Sequence, residues 1–224
     1  MNFPFSKSVL FFLSFLLLGL PVFCLGSDFI ELPRAEIKLA LSIEEALSKR
    51  HSLRSFAPHK RIESKDLAQV LWAMVCINRE DSGKRTHPSA MAKYTVDVYV
   101  AMEKGLFKYE AKAHELQPLA SNGDVNHDLR TSLPKKDYVK EAPVLLILVG
   151  DVSRLPDRFP ENLRWRWIHC EAGAMAQNLY LQSLSLGLGT CINAGFDAAY
   201  GKKALGLESA EQILYILPLG YPER

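Results

Sequence analysis

Four short stretches carry residue types whose spacing could do chemistry. Lys49-Arg-His-Ser-Leu-Arg-Ser-Phe56 sets Arg50 and Arg54 around the hydroxyl of Ser52. A planar guanidinium fork meets two oxygens of a phosphate monoester at once, and a neighbouring hydroxyl adds a donor. The same stretch lies where a helix runs out, so a basic end complementing the helix dipole is its plain structural reading. Thr86-His-Pro-Ser-Ala-Met-Ala92 precedes a strand. It would present backbone groups and the Ser89 hydroxyl on a ledge, or serve only as a loop. Gly187-Leu-Gly-Thr-Cys-Ile-Asn-Ala-Gly-Phe-Asp197 is glycine-rich. Glycine lets backbone approach a flat ring and face its nitrogens with amides, but it also caps helices and makes turns. A dinucleotide fingerprint is absent, because no G-x-G-x-x-G opens a helix after a strand. The closing Pro218-Leu-Gly-Tyr-Pro-Glu-Arg224 would return Arg224 to the same phosphate, or fray as a basic tail.

No paired carboxylates or Ser–His–Asp arrangement can be read from the chain, so no catalytic side chain is expected. His51 is a poor base candidate on the phosphate side of such a site. Cys76, Cys170 and Cys191 show no metal-ligand spacing, and no metal site is expected. Cys76 and Cys191 lie in apolar stretches and read as core thiols.

The elements that must position these stretches follow from periodicity. Ser42-Ile-Glu-Glu45 is a capping box opening a helix to about His51. Ser64 is expected to cap a second helix, with Leu67, Val70, Leu71, Met74 and Val75 on one face. Tyr94–Ala101 is rich in β-branched and aromatic residues and reads as a strand. Leu106–Tyr109 and His114–Gln117 read as a hairpin, and residues 118–140 as polar and irregular. Pro143-Val-Leu-Leu-Ile-Leu-Val149 lacks alternation, as a strand buried on both faces must. A long helix is expected over about Trp167–Leu186, stopped by Gly187 and Gly189. Asp197 would cap another that ends near Gly206, and Gln212–Pro218 forms the last strand. The elements mix without regular βα alternation, so the fold class is α+β.

The chain has 224 residues, 48% hydrophobic and 23% charged, with a net charge of +2. That suits one globular domain plus a leader and argues against a nucleic-acid partner. Lys7 precedes an apolar run from Val9 to Leu20, then Pro21-Val-Phe-Cys-Leu-Gly26. This reads as a signal peptide over residues 1–26, giving an exported, periplasmic or secreted protein with no membrane span in its mature part. A lipid anchor at Cys24 is the weaker alternative, since Phe23 stands where a small residue is wanted. Residues 27–40 read as a linker and 41–224 as the functional domain.

In order and spacing these motifs resemble one family. Basic-x-Ser-x-basic-x-Phe, Pro-Ser-Ala before a tyrosine-bearing strand, and Glu-Ala-Gly-x-x-x-Gln-Asn-Leu-x-Leu in the long helix come first. Gly-Leu-Gly-Thr-Cys, Gly-Phe-Asp and Leu-Pro-x-Gly-x-Pro complete the set. Over about residues 41–222 the chain is similar to the nitroreductases, and most to the branch holding the dehydrogenase subunit of thiazole- and oxazole-forming peptide synthases. The resemblance implies a four- or five-stranded, mostly antiparallel sheet flanked by helices, and an intertwined homodimer with FMN at the interface. It implies that Arg50, His51, Ser52 and Arg54 hold the FMN phosphate and ribityl chain, assisted by Arg224. Pro88, Ser89 and Ala90 would lie against the flavin ring, partly from the partner subunit, with Ala194 and Gly195 near its reactive edge. Glu171, Gln177 and Asn178 are expected to be structural. The implied activity is ping-pong hydride transfer through FMN, from NAD(P)H or another donor to a small organic acceptor. An exported flavin-binding module without turnover, or a thiazoline/oxazoline-type dehydrogenase acting on a modified peptide, are the alternatives. Met91 and Thr95 stand where that branch commonly has glycine and proline.

Overall fold

The computed structural model describes residues 29–37, 41–58, 60–119, 129–130 and 137–223. Residues 1–26, read as a signal peptide and including Cys24, lie outside the described residues, as do Arg224 and most of the 118–140 segment.

One strand organises the rest. β7 (Val144–Asp151) is buried along Val144–Gly150, with Leu145, Leu146, Ile147 and Leu148 fully enclosed. Each fully buried aliphatic side chain contributes about 1.5–3 kcal/mol of transfer free energy, so both faces of β7 must be covered. β7 pairs with β4 (Val96–Met102) on one side and β9 (Glu211–Gly220) on the other. β5 (Gly105–Glu110), β6 (Glu115–Pro118), β1 (Ile30–Glu31) and β8 (Gly189–Thr190) complete a seven-stranded sheet. Its order is β1-β6-β5-β4-β7-β9-β8, and every pairing is antiparallel. The expected four or five strands are thus exceeded. β1 lies inside the stretch read as a linker, and β8 inside the glycine-rich motif. Both have two residues, too few for a periodic signal.

Helices cover both faces. Val144, Leu146 and Leu148 meet α2 (Ser64–Val75) and the long α4 (Glu161–Ser185) in one core. Leu145, Ile147 and Val149 face a second core that includes Phe56, Val139 of α3 (Asp137–Glu141), and Ala204 and Leu205 of α5 (Ala198–Leu205). This is the expected α+β architecture.

The capping box at Ser42 forms as read and opens α1 (Ile43–Lys49). α2 differs: Ser64 is its first helical residue, Glu63 is the N-cap, and no side chain caps it. α4 starts six residues earlier than apolar spacing suggests, because Glu161-Asn-Leu-Arg164 prolongs it across a polar turn. A ribbon of β2 (Ile77–Arg79) and β3 (Lys84–Arg85), absent from the sequence reading, follows α2.

α4 crosses β7 closely. A Cβ at Gly150 would lie 2.5 Å from Ile168 Cγ2 and 3.1 Å from Leu214 Cδ1. Gly150→Ala should therefore destabilise the chain by about 1–3 kcal/mol through overpacking, measured as a lower urea midpoint at unchanged m-value. An unchanged midpoint would show that α4 can shift without cost.

Candidate functional site

The motif read first in the sequence leaves α1 at its C-cap, Arg50, and runs in extended form beside the sheet edge. Three contacts fix its course. Leu53 N–H donates to Thr190 O at 2.9 Å, Phe56 bridges Pro222, and Ala57 N–H donates to Tyr221 O at 3.0 Å. Ser55 adds a hydroxyl bond to Glu223 at 2.5 Å. The first, third and fourth motifs are thereby brought together. Gly189 owes its identity to this meeting: a Cβ there would come 2.5 Å from Leu53 Cδ2 and 2.8 Å from Leu53 Cβ. The approach that this glycine permits is to the Leu53 side chain. Gly187, at φ +68°, ends α4 as a C-cap glycine, with Leu188 N–H donating to Ser183 O at 2.8 Å.

Tyr180 of α4 pins the cluster. Its hydroxyl accepts from Ile192 N–H at 2.9 Å and lies 3.0 Å from Ser52 Oγ. Its ring lies 5.2 Å from the Arg50 guanidinium, a cation–π distance. Arg54 and His51 are exposed, and His51 is turned to the Lys49 carbonyl at 2.9 Å. Among the described residues, neither Arg50 nor Arg54 forms an ion pair with a carboxylate. The Thr190 hydroxyl, on the residue whose carbonyl takes Leu53 N–H, is buried without a protein partner among the described residues. Two guanidinium groups with no carboxylate partner among the described residues and the Ser52 hydroxyl fit a phosphate monoester.

Exposed Ala194 and Gly195 follow Asn193, whose backbone exchanges two hydrogen bonds with Ile216 at 3.0 and 2.9 Å. The Asn193 amide donates to Cys191 O and Ile216 O, and its oxygen accepts from Tyr138 at 2.6 Å. Burial raises the Tyr138 hydroxyl pKa; Cys191 adds to the rise and Arg54 opposes it.

Pro88, Ser89 and Ala90 sit elsewhere. The 88–92 ledge packs against α4 at Glu171, nine residues before Tyr180, which is about 14 Å along the helix axis. Ser89 does not project into open space: it donates to Glu171 Oε2 at 2.7 Å and accepts from Tyr94 N–H at 2.8 Å. Thr95 also donates to Glu171 Oε2, at 2.9 Å. Met91, Ala92 and Tyr94 have φ of 53°, 52° and 48°, a left-handed conformation that costs an L residue about 1–2 kcal/mol. Glu171, 2% exposed, is structural as expected. Burial would raise its pKa, yet His87, Ser89 and Thr95 outweigh that and hold it below the ordinary glutamate value.

Tyr180, Tyr138, Asn193 and His87 were not picked out from the sequence. Tyr180 and Asn193 lay within motifs that were read only for their pattern. Nothing in the sequence signals Tyr138, because its partner is 55 residues away. Among the described residues no group of His, Cys, Asp or Glu could hold a metal ion, and no helix is long and apolar enough to cross a membrane. Cys76 and Cys191 are buried free thiols, as read, and burial pushes Cys76 up to about 11.

Removing the pin should be measurable. Tyr180→Phe should cost about 1–2 kcal/mol by stranding Ile192 N–H and Ser52, a Tm loss of a few degrees by calorimetry. Glu171 gives a pH signature. Its lowered pKa contributes stability that is complete above the unfolded value of about 4.3 and is lost as pH falls through the lower folded value. Urea midpoints followed from about pH 5 to 3 should fall more for wild type than for Glu171→Gln.

Comparison with known proteins adds to this geometry. The Nitroreductase family model matches residues 47–221. A protein of Methanocaldococcus jannaschii that carries the nitroreductase name is 29% identical over 197 residues, 85% of this chain and 95% of that protein. A solved structure from Ralstonia eutropha JMP134, also carrying that name, is 29% identical with a TM-score of 0.79, covering 88% of this chain and 91% of that one. A chain of the E. coli microcin synthetase McbBCD complex, solved with truncated pro-MccB17 bound, shares the fold at 18% identity. Its TM-score is 0.68, over 86% of this chain and 77% of that one.

Proposed function

This chain belongs to the nitroreductase family and is an oxidoreductase, and we propose that it binds FMN, with Arg50, Ser52 and Arg54 holding the phosphate. The observation that supports this most is the pair of guanidinium groups, without carboxylate partners among the described residues, that flank Ser52 in the chain, with Tyr180 against Ser52 and Arg50. Bound FMN would supply hydride chemistry, between NAD(P)H or another donor and a small organic acceptor in ping-pong order. The protein's own part is to bind and orient. Arg50 and Arg54 neutralise the phosphate, and the Asn193–Ile216 bridge fixes the backbone that leads into Ala194 and Gly195. No side chain is assigned a proton.

The same reading includes a site completed by a second copy of the chain. Ile43 and Leu47, one turn apart on α1, are 62% and 54% exposed, and Met91 on the ledge is 45% exposed. A homodimer would bury such apolar surface. Residues 1–26 belong to this reading as a signal peptide, and the exported FMN domain takes in β1 (Ile30–Glu31) of the stretch first read as a linker.

The first test is uptake of FMN by the purified mature chain, read as a bound-flavin absorption spectrum that bleaches under anaerobic NADH or NADPH. Arg54→Ala should weaken FMN by about 10- to 100-fold, the worth of one charged hydrogen bond. Riboflavin, which lacks the phosphate, should bind equally to both proteins. No flavin uptake by the wild type would sink the assignment.

A further inference from the structure

The 88–92 ledge is folded against its own backbone preferences. Three non-glycine residues, Met91, Ala92 and Tyr94, are left-handed, a state that persists only where the surroundings over-determine it. The bonds that do so converge on one side chain. Glu171 Oε2 takes the Ser89 and Thr95 hydroxyls at 2.7 and 2.9 Å. Its Oε1 faces Val96 N–H at 3.4 Å and His87 Nε2 at 3.5 Å. Ser89 Oγ in turn takes Tyr94 N–H at 2.8 Å. His87 itself is anchored by Nδ1 donating to Met74 O at 2.9 Å, with its ring edge-on to Tyr94. The start of the ledge, through Ser89, and its exit, through Thr95 and Val96, are therefore tied to the same carboxylate.

We propose that Glu171 is the positioning residue for the flavin ring: it touches no cofactor, and it holds Pro88 and Ala90 in the one arrangement that meets the ring. The proposal rests on the flavin reading above. Thr95 is part of the device, because a proline there would bring no hydroxyl to Glu171. Met91 is tolerated at a left-handed position for the same reason. The two halves of α4 then divide the labour. Glu171 serves the ring through the ledge, and Tyr180 serves the phosphate through Ser52 and Arg50. The halves are separable by experiment.

The test uses the full mature chain with Glu171→Ala and Thr95→Val, the latter near-isosteric and safe should the former fail to fold. FMN and riboflavin are titrated by fluorescence, and amide exchange is followed at Ala92, Lys93 and Tyr94. Each of these amides is bonded inside the ledge, to Ser89 O, Ala90 O and Ser89 Oγ. Glu171→Ala should weaken FMN and riboflavin by the same factor, tenfold or more, leaving their affinity ratio unchanged. The three ledge amides should exchange at least tenfold faster while β7 amides keep their protection. Thr95→Val should shift both readings the same way by a smaller factor. Folded variants with unchanged ledge exchange, flavin affinity within twofold of wild type, or an altered FMN-to-riboflavin ratio would overturn the role of Glu171. A wild-type chain that binds neither flavin would overturn the flavin reading, and this proposal with it.

Discussion

A strand with no polar face imposes the layout of this protein. β7 presents aliphatic side chains to both sides, so it cannot lie at a surface and needs strands beside it and helices above and below. α4 supplies most of the cover on one face, burying Ile168, Ala172, Met175, Ala176 and Leu179. A 25-residue helix spans about 37 Å. Once laid across the sheet it is the longest helix among the described residues, and both halves of the candidate site are hung from it.

Two polar side chains of α4 anchor the segments that carry the candidate site. Tyr180 meets the end of α1 and the turn into Ala194 and Gly195. Glu171 meets the ledge. A buried carboxylate is costly unless its lone pairs are used, and Glu171 uses them on donors from a loop that would otherwise relax out of its left-handed conformation. The hydrogen bonds between them offset both the cost of burying the charge and the strain in the loop. Asn178 adds a third tie, donating to Ala73 O at 3.1 Å and locking α4 to α2.

Much was legible in the sequence because it depends on neighbours in the chain. The capping box at Ser42, the unbroken apolar run of β7, the hairpin of β5 and β6 and the glycine that ends α4 are local signals, and they hold. The motif set pointed to the family, and the resemblance, rather than the arginine and serine spacing alone, singled out Arg50, Ser52 and Arg54 as the phosphate-holding cluster. Two-residue strands such as β1 and β8 carry no period to detect, and the polar first turn of α4 hides its true start.

Pairings across long stretches of chain belonged to the tertiary structure alone. Ser52 with Tyr180 spans 128 positions, and Ser89 with Glu171 spans 82. In sequence, Met91 in place of glycine and Thr95 in place of proline are only departures from the peptide-synthase branch. In the fold, Thr95 helps a buried carboxylate hold the loop in which Met91 sits. The sequence by itself determined the family and the α+β class, and it singled out the residues proposed to meet a phosphate. Only the fold decided that the ledge and the phosphate cluster stand at separate points of one helix, because hydrogen-bond partners are set by packing and not by spacing.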